Sequence, residues 1–194
     1  MNHKRLIIPI LLVIVALILA SCGTKELKEP LNWEIGSIQG TTQNKGEFSI
    51  DEMEGKVWLA DFIFTSCTTV CPPMTRNMAK IQDMLKEEGI EAEIVSFSVD
   101  PKVDTPEKLK EFASAQGADF SNWTFVTGYT QDKIESFAKE SFHTIADKPE
   151  GADQVAHGSQ FFLVNQEGKV VKYYRGASDV PFGQIVEDVK IVAN

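Results

Sequence analysis

The chain has 194 residues, of which 28 are acidic and 19 basic, for a net charge of −9. Forty-three per cent of the residues are hydrophobic, enough to bury a core of its own. No basic stripe interrupts the acidic surplus, which argues against nucleic acid as a partner.

Lys4 and Arg5 precede an unbroken apolar run from Leu6 to Ala20. The run is short for a membrane span, which takes about 20 residues, and suits the core of an export signal. It ends in Leu19-Ala20-Ser21-Cys22, which resembles the lipobox of bacterial lipoproteins. That resemblance implies cleavage before Cys22 and a diacylglyceryl group on its sulfur; an uncleaved helix would be the other way to tether the chain. Either anchor puts the domain on the extracytoplasmic side of the plasma membrane, where disulfides persist. The expected organisation is a signal peptide over 1–21, a polar lipidated tether over 22–30 and one domain over 31–194. Without Lys4 and Arg5, 17 basic residues stand against 28 acidic ones. We find no internal repeat and no low-complexity block.

Within the domain, Trp33 to Ile50 predicts an amino-terminal hairpin. Val57-Trp58-Leu59-Ala60-Asp61-Phe62-Ile63-Phe64 is nearly continuous in apolar residues, as a buried central strand should be. A loop from Thr65 to Cys71 follows. Pro72 and Pro73 then open a helix whose apolar positions Met74, Met78, Ile81 and Leu85 keep to one face, and Gly89 ends it. Ile94 to Val99 predicts a second strand. Asp100-Pro101 breaks the chain, and Thr105-Pro106 begins another helix as N-cap and first-turn proline, with Leu109, Phe112 and Ala113 inward. Trp123 to Val126 predicts a third strand, followed by a helix from about Thr130 carrying Ile134, Phe137 and Ala138. After an irregular stretch, Gln160–Val164 and Lys169–Tyr174 predict a hairpin turning at Asn165-Gln166-Glu167-Gly168. A closing helix begins near Pro181. Parallel crossovers joined to an antiparallel end make an α/β sandwich, a central mixed sheet flanked by helices.

With Cys22 lipidated, Cys67 and Cys71 are the thiols left over. Four residues apart, they can form a disulfide or grip a metal. A bridge closing so small a loop removes little chain entropy, so a purely structural staple is the weaker explanation. The pair lies between a strand and a helix, where α/β folds place their sites. Proline at 72 disfavours helical geometry at Cys71, which is therefore expected at or before the N-cap, with Cys67 in the loop. Both sulfurs then face the positive end of the helix dipole, which favours thiolate. Pro72 and Pro73 remove two backbone donors, and no Lys, Arg or His lies between Lys56 and Arg76. A bound cation would complete the stabilisation.

Here the chain resembles the Sco/SenC family of thioredoxin-like copper-binding proteins. The resemblance rests on Cys67, Cys71 and Pro72 after the strand, on Ser98-Val99-Asp100-Pro101 with Asp104-Thr105-Pro106, and on His157-Gly158 before the last hairpin. It covers nearly all of the domain. It implies a thioredoxin-like fold, copper held by Cys67, Cys71 and His157, and a part in building the binuclear copper centre of cytochrome c oxidase. The expected partners are the oxidase subunit carrying that centre and, through Cys22, the membrane. Thiolates are soft donors suited to Cu(I), and an added imidazole makes the set acceptable to Cu(II). Three protein ligands suit an ion that is handed on better than a structural zinc, although ligand type alone leaves zinc open.

Other readings compete. His143 fits neither the family pattern nor a clear helix face and reads as structural or exposed. Met74 and Met78 could offer thioethers, but their spacing is that of a core. Asp100 could orient a ligand or simply make an Asp-Pro turn. A general thiol-disulfide oxidoreductase would be expected to have two residues between its cysteines and a proline facing them. This chain has three and, between Gly151 and Val180, no proline. A copper or redox sensor would use the same thiols. A thiol peroxidase would need an activating Thr or Arg, and Thr68 and Arg76 make no convincing set.

Overall fold

In the computed structural model, which describes residues 26–149 and 151–194, the apolar run becomes β4 (Trp58–Ile63), buried at all six positions. The expected export signal and Cys22 lie outside the described residues. On one side β4 pairs in parallel with β5 (Glu93–Ser98), and β5 pairs in parallel with β6 (Trp123–Thr127). On the other side it pairs antiparallel with β9 (Gln160–Val164), which turns into β10 (Lys169–Arg175). With β1 (Trp33–Glu34), β2 (Gln39–Thr42) and β3 (Glu47–Ser49), the sheet has eight strands in the order β1-β10-β9-β4-β5-β6-β2-β3.

Alternation along β4 divides its side chains between two faces. Phe62 meets Phe97 of β5 and Phe142 of a following helix, with ring centroids 5.7 Å and 5.2 Å away. The helices lie where the sequence predicts them, the first beginning one residue early, at Cys71. Met74, Met78, Ile81 and Leu85 are buried along α1 (Cys71–Glu87). It closes at Gly89, whose φ of 66° a side chain would strain, with Ile90 N–H bonded to Leu85 O at 2.9 Å. Thr105 caps α2 (Pro106–Ala115) by accepting from Lys108 N–H, and Thr130 caps α3 (Gln131–Phe142) by accepting from Lys133 N–H. α4 (Phe182–Ala193) packs on α1. The α/β sandwich with a mixed sheet is therefore as expected.

Two expectations need correction. The hairpin at the amino end is confined to β2 and β3. Trp33 and Glu34 pair instead with Val170 and Lys169 of β10, at the far margin of the sheet. Trp33 stacks there on His143, ring centroids 4.2 Å apart, a tertiary contact that outweighs proximity in sequence. The irregular stretch before β9 also contains a separate two-stranded ribbon, β7 (Ala146–Asp147) with β8 (Ala156–His157).

Candidate metal centre

β4 delivers the chain into a short loop from which α1 departs, and the two cysteines sit at that departure. Both are free and buried. Val70, the N-cap, offers no side-chain bond to the helix. The sulfur of Cys67 takes that place, accepting Cys71 N–H at 3.4 Å. The next two residues are prolines with no N–H to give, so the helix end presents one donor where it would ordinarily present several.

Cys71 is thus the first residue of α1 and not a residue outside it, which corrects the placement expected from Pro72. The first turn is bonded in spite of the proline: Met74 N–H reaches Val70 O at 3.0 Å, and Thr75 Oγ1 donates to Cys71 O at 3.0 Å. The shared preference for thiolate also needs correction. Burial opposes ionisation of Cys67, but N–H bonds around the loop, led by that of Cys71, outweigh it and bring the thiol below its ordinary range. For Cys71 burial wins and drives the thiol far above that range, with the Cys67 and Asp61 charges adding to it against a backbone bond at Phe64. The two sulfurs are chemically distinct.

The third group arrives on the ribbon. His157 is paired with Ala146 across β7 and β8. Its Nδ1 lies 2.8 Å from Gly158 O. A carbonyl can only accept, so Nδ1 carries the hydrogen and Nε2 keeps a free lone pair, directed at Cys71 Sγ 3.3 Å away. Burial lowers the imidazole's affinity for a proton, against a smaller opposing effect of the Gly158 bond. His157 therefore stays neutral, the form that binds metal. The Phe64 ring stands edge-on to it at 5.5 Å.

Cys67, Cys71 and His157 place their donor atoms within 4.8 Å of one another, the one such cluster among the described residues. Three donors held about 2.0–2.3 Å from a common ion in a trigonal or tetrahedral set stand roughly 3.3–4.0 Å apart, so the set fits a metal after closing by about 1 Å. The same proximity lets the two sulfurs close a disulfide once oxidised.

The remaining candidates fall outside the cluster. His143 ends α3 with φ 50° and stacks on Trp33. Met74 and Met78 are fully buried. Arg76 bonds Gln116 at 2.5 Å. Asp100 makes its turn, accepting Val103 N–H at 3.0 Å and Asp104 N–H at 2.9 Å. Sequence reasoning passed over Asp61, a fully buried carboxyl on β4. It accepts Ser96 Oγ–H at 2.5 Å and leaves Oδ2 without a partner. Burial, only partly offset by the Ser96 bond, raises its pKa to about 7. A single acid in an apolar run was the signal that could have found it.

A family model described as SCO1/SenC matches residues 33–194. A SCO1/SenC family lipoprotein from Bacillus anthracis is 48% identical, with a TM-score of 0.84 over 87% of this chain and 100% of that one. BsSco, a member of the Sco family of cytochrome c oxidase assembly proteins with an identified disulfide switch, is also 48% identical. Its TM-score is 0.81 over 88% of this chain and 99% of its own. Copper-bound ScoI of Arabidopsis thaliana is 25% identical, with a TM-score of 0.67 over 81% and 96%. The sandwich is thioredoxin-like, as the sequence resemblance implied.

Proposed function

Because the chain belongs to the SCO1/SenC family, we propose that it is a membrane-anchored copper-binding protein that serves assembly of the binuclear copper centre of cytochrome c oxidase. The observation that carries this is the convergence of two thiols and a neutral imidazole lone pair within 4.8 Å. Copper, Cu(I) or Cu(II), is the cargo, with Cys67, Cys71 and His157 as its ligands. Cys67, the more acidic thiol, supplies the first thiolate. Cys71 gives up its proton only against the cation's charge, so binding releases protons and is favoured as pH rises. A copper-bound relative of the same fold supports copper as the cargo.

The same thiols support a second step. Oxidised together, they form one S–S bond and pass two electrons and two protons to a partner's disulfide, which becomes two thiols. The disulfide switch of BsSco favours this use alongside delivery. A general oxidoreductase or a copper and redox sensor is the rival. Cys22 anchors the protein by lipid on the extracytoplasmic face of the plasma membrane, a reading supported by its likeness to a lipoprotein of the family.

Titration with copper tests the proposal. The reduced full chain should take up one copper and the oxidised chain none, and mixing with the apo copper domain of an oxidase should transfer metal or reduce its cysteines. Equal uptake by both forms would overturn the switch. A deletion strain with intact oxidase but failing disulfide formation in many exported proteins would establish the rival. Cys22→Ser should abolish incorporation of labelled lipid, and a wild-type chain that takes up no label would remove the lipid anchor.

A further inference from the structure

The loop after β5 holds both arms of the metal centre at once. On the cysteine side, Asp104 accepts Thr65 Oγ1–H at 2.6 Å and Thr65 N–H at 3.2 Å, two residues before Cys67. On the histidine side, Lys148 follows β7 directly and gives its ammonium to Asp100 Oδ2 at 2.6 Å. The two acids are joined through Ser98, which donates Oγ–H to Asp104 at 2.6 Å and accepts Asp100 N–H at 3.1 Å. An unbroken line of contacts therefore runs Lys148, Asp100, Ser98, Asp104, Thr65, from the ribbon that carries His157 to the loop that carries Cys67.

The ribbon needs such a fastening. Its strands are two residues each, and an isolated two-stranded ribbon is marginal in water. Its further ties are Gly158 N–H to Ile145 O at 3.1 Å and Lys148 N–H to Glu135 Oε1 at 3.1 Å. Asp100 and Lys148 differ from a surface pair in burial: their side chains are 1% and 16% exposed. A pair this dry holds its geometry and leaves a costly charge behind if one partner is lost. The Asp100 carboxylate meets the Lys148 ammonium, and the Glu135 carboxylate meets the Lys148 main-chain N–H.

We propose that Asp100 and Lys148 are positioning residues that fix the reach of His157 toward the two sulfurs, and through it the preference of the centre between Cu(II) and Cu(I). This rests on the copper reading above. Cu(I) is satisfied by two thiolates, whereas Cu(II) needs the imidazole. Releasing the ribbon therefore removes the ligand that only one oxidation state requires.

The test uses the full chain with Lys148→Met, Lys148→Arg to restore the charge, and Asp100→Asn should the first fail to fold. In the metal-free protein, Lys148→Met should speed hydrogen exchange at the Gly158 amide and change the His157 ring resonances. Cu(II) affinity should fall about tenfold with an altered thiolate-to-Cu(II) absorption band, as when supporting partners of a ligand are removed. Cu(I) affinity should stay within about twofold, and Lys148→Arg should recover both signatures. Equal losses for Cu(I) and Cu(II), or unchanged exchange at Gly158, would overturn the proposal. If the wild type bound no copper, the proposed function would fall, and the exchange and ring signals would still decide whether the pair positions His157.

Discussion

Cys67 follows β4, whose six residues are all buried, and Cys71 opens the seventeen residues of α1, whereas His157 stands on a strand of two with an exposed neighbour. The cysteine arm has the sheet on one side and a packed helix on the other. The histidine arm has a short ladder, an ion pair, a few hydrogen bonds and two small buried side chains, Ala146 and Val155. Segments with few buried contacts open at far lower free energy than core strands. A centre with one fixed arm and one that can withdraw can hold an ion in three-ligand form and present it in two-ligand form without moving its core.

The largest effect should come from the fixed arm. Cys67→Ala or Cys71→Ala should lower copper affinity by about 10⁴-fold, roughly 5.5 kcal/mol, because a single thiolate cannot chelate. Competition against a chromophoric copper chelator measures it, and a loss under tenfold would show that the arms do not divide the work this way.

Asp61 sharpens the comparison from beneath the fixed arm. Its folded pKa of about 7 lies above the unfolded value near 3.8. The folded state thus binds more protons in that window, and stability falls as pH rises from about 4 to about 7. The loss above pH 7 is on the order of 4 kcal/mol. Asp61→Asn should abolish this slope, stabilising the reduced protein at pH 8 and not at pH 4 in denaturant unfolding. An unchanged slope would show that the carboxyl does not titrate there.

The smaller effect belongs to the arm with fewer fastenings. His157→Ala should cost about a hundredfold in Cu(II) affinity, roughly 2.7 kcal/mol, and far less in Cu(I). Parallel titrations under oxidising and anaerobic reducing conditions separate the two, and undiminished Cu(II) binding would break the comparison.

The fixed arm was also the legible one. β4 appears as a near-continuous apolar run, α1 by its stepped Met74, Met78, Ile81 and Leu85, α2 by the cap at Thr105-Pro106 and α3 by its apolar Ile134, Phe137 and Ala138. Such signals are local and repeat over several residues. β7, β8 and β1 have two residues each, too few for any alternation, and depend on partners far away in the chain. Cys71 is a different case, placed in the helix by local bonds, Met74 N–H to Val70 O and Thr75 Oγ1–H to Cys71 O, against the effect of Pro72. Nothing near Asp100 in sequence points to Lys148, 48 residues on. That Cys67, Cys71 and His157 come together could be read from their type and motif, but the chemical difference between the two thiols could not, because it arises from burial and from the N–H bonds of the loop.

The outermost strands of the sheet carry a different consequence. β1 has two residues and β3 three, and Glu34 on the first pairs with Lys169 at 3.1 Å. Margins this short, one of them charged, give a neighbouring chain almost no ladder to extend, which guards against fibrous association between copies. On the proposed reading of a membrane-anchored protein, that protection would be continuous. It also means that a productive encounter has to be made through side chains and loops, at the end of the sheet where Cys67 and His157 meet.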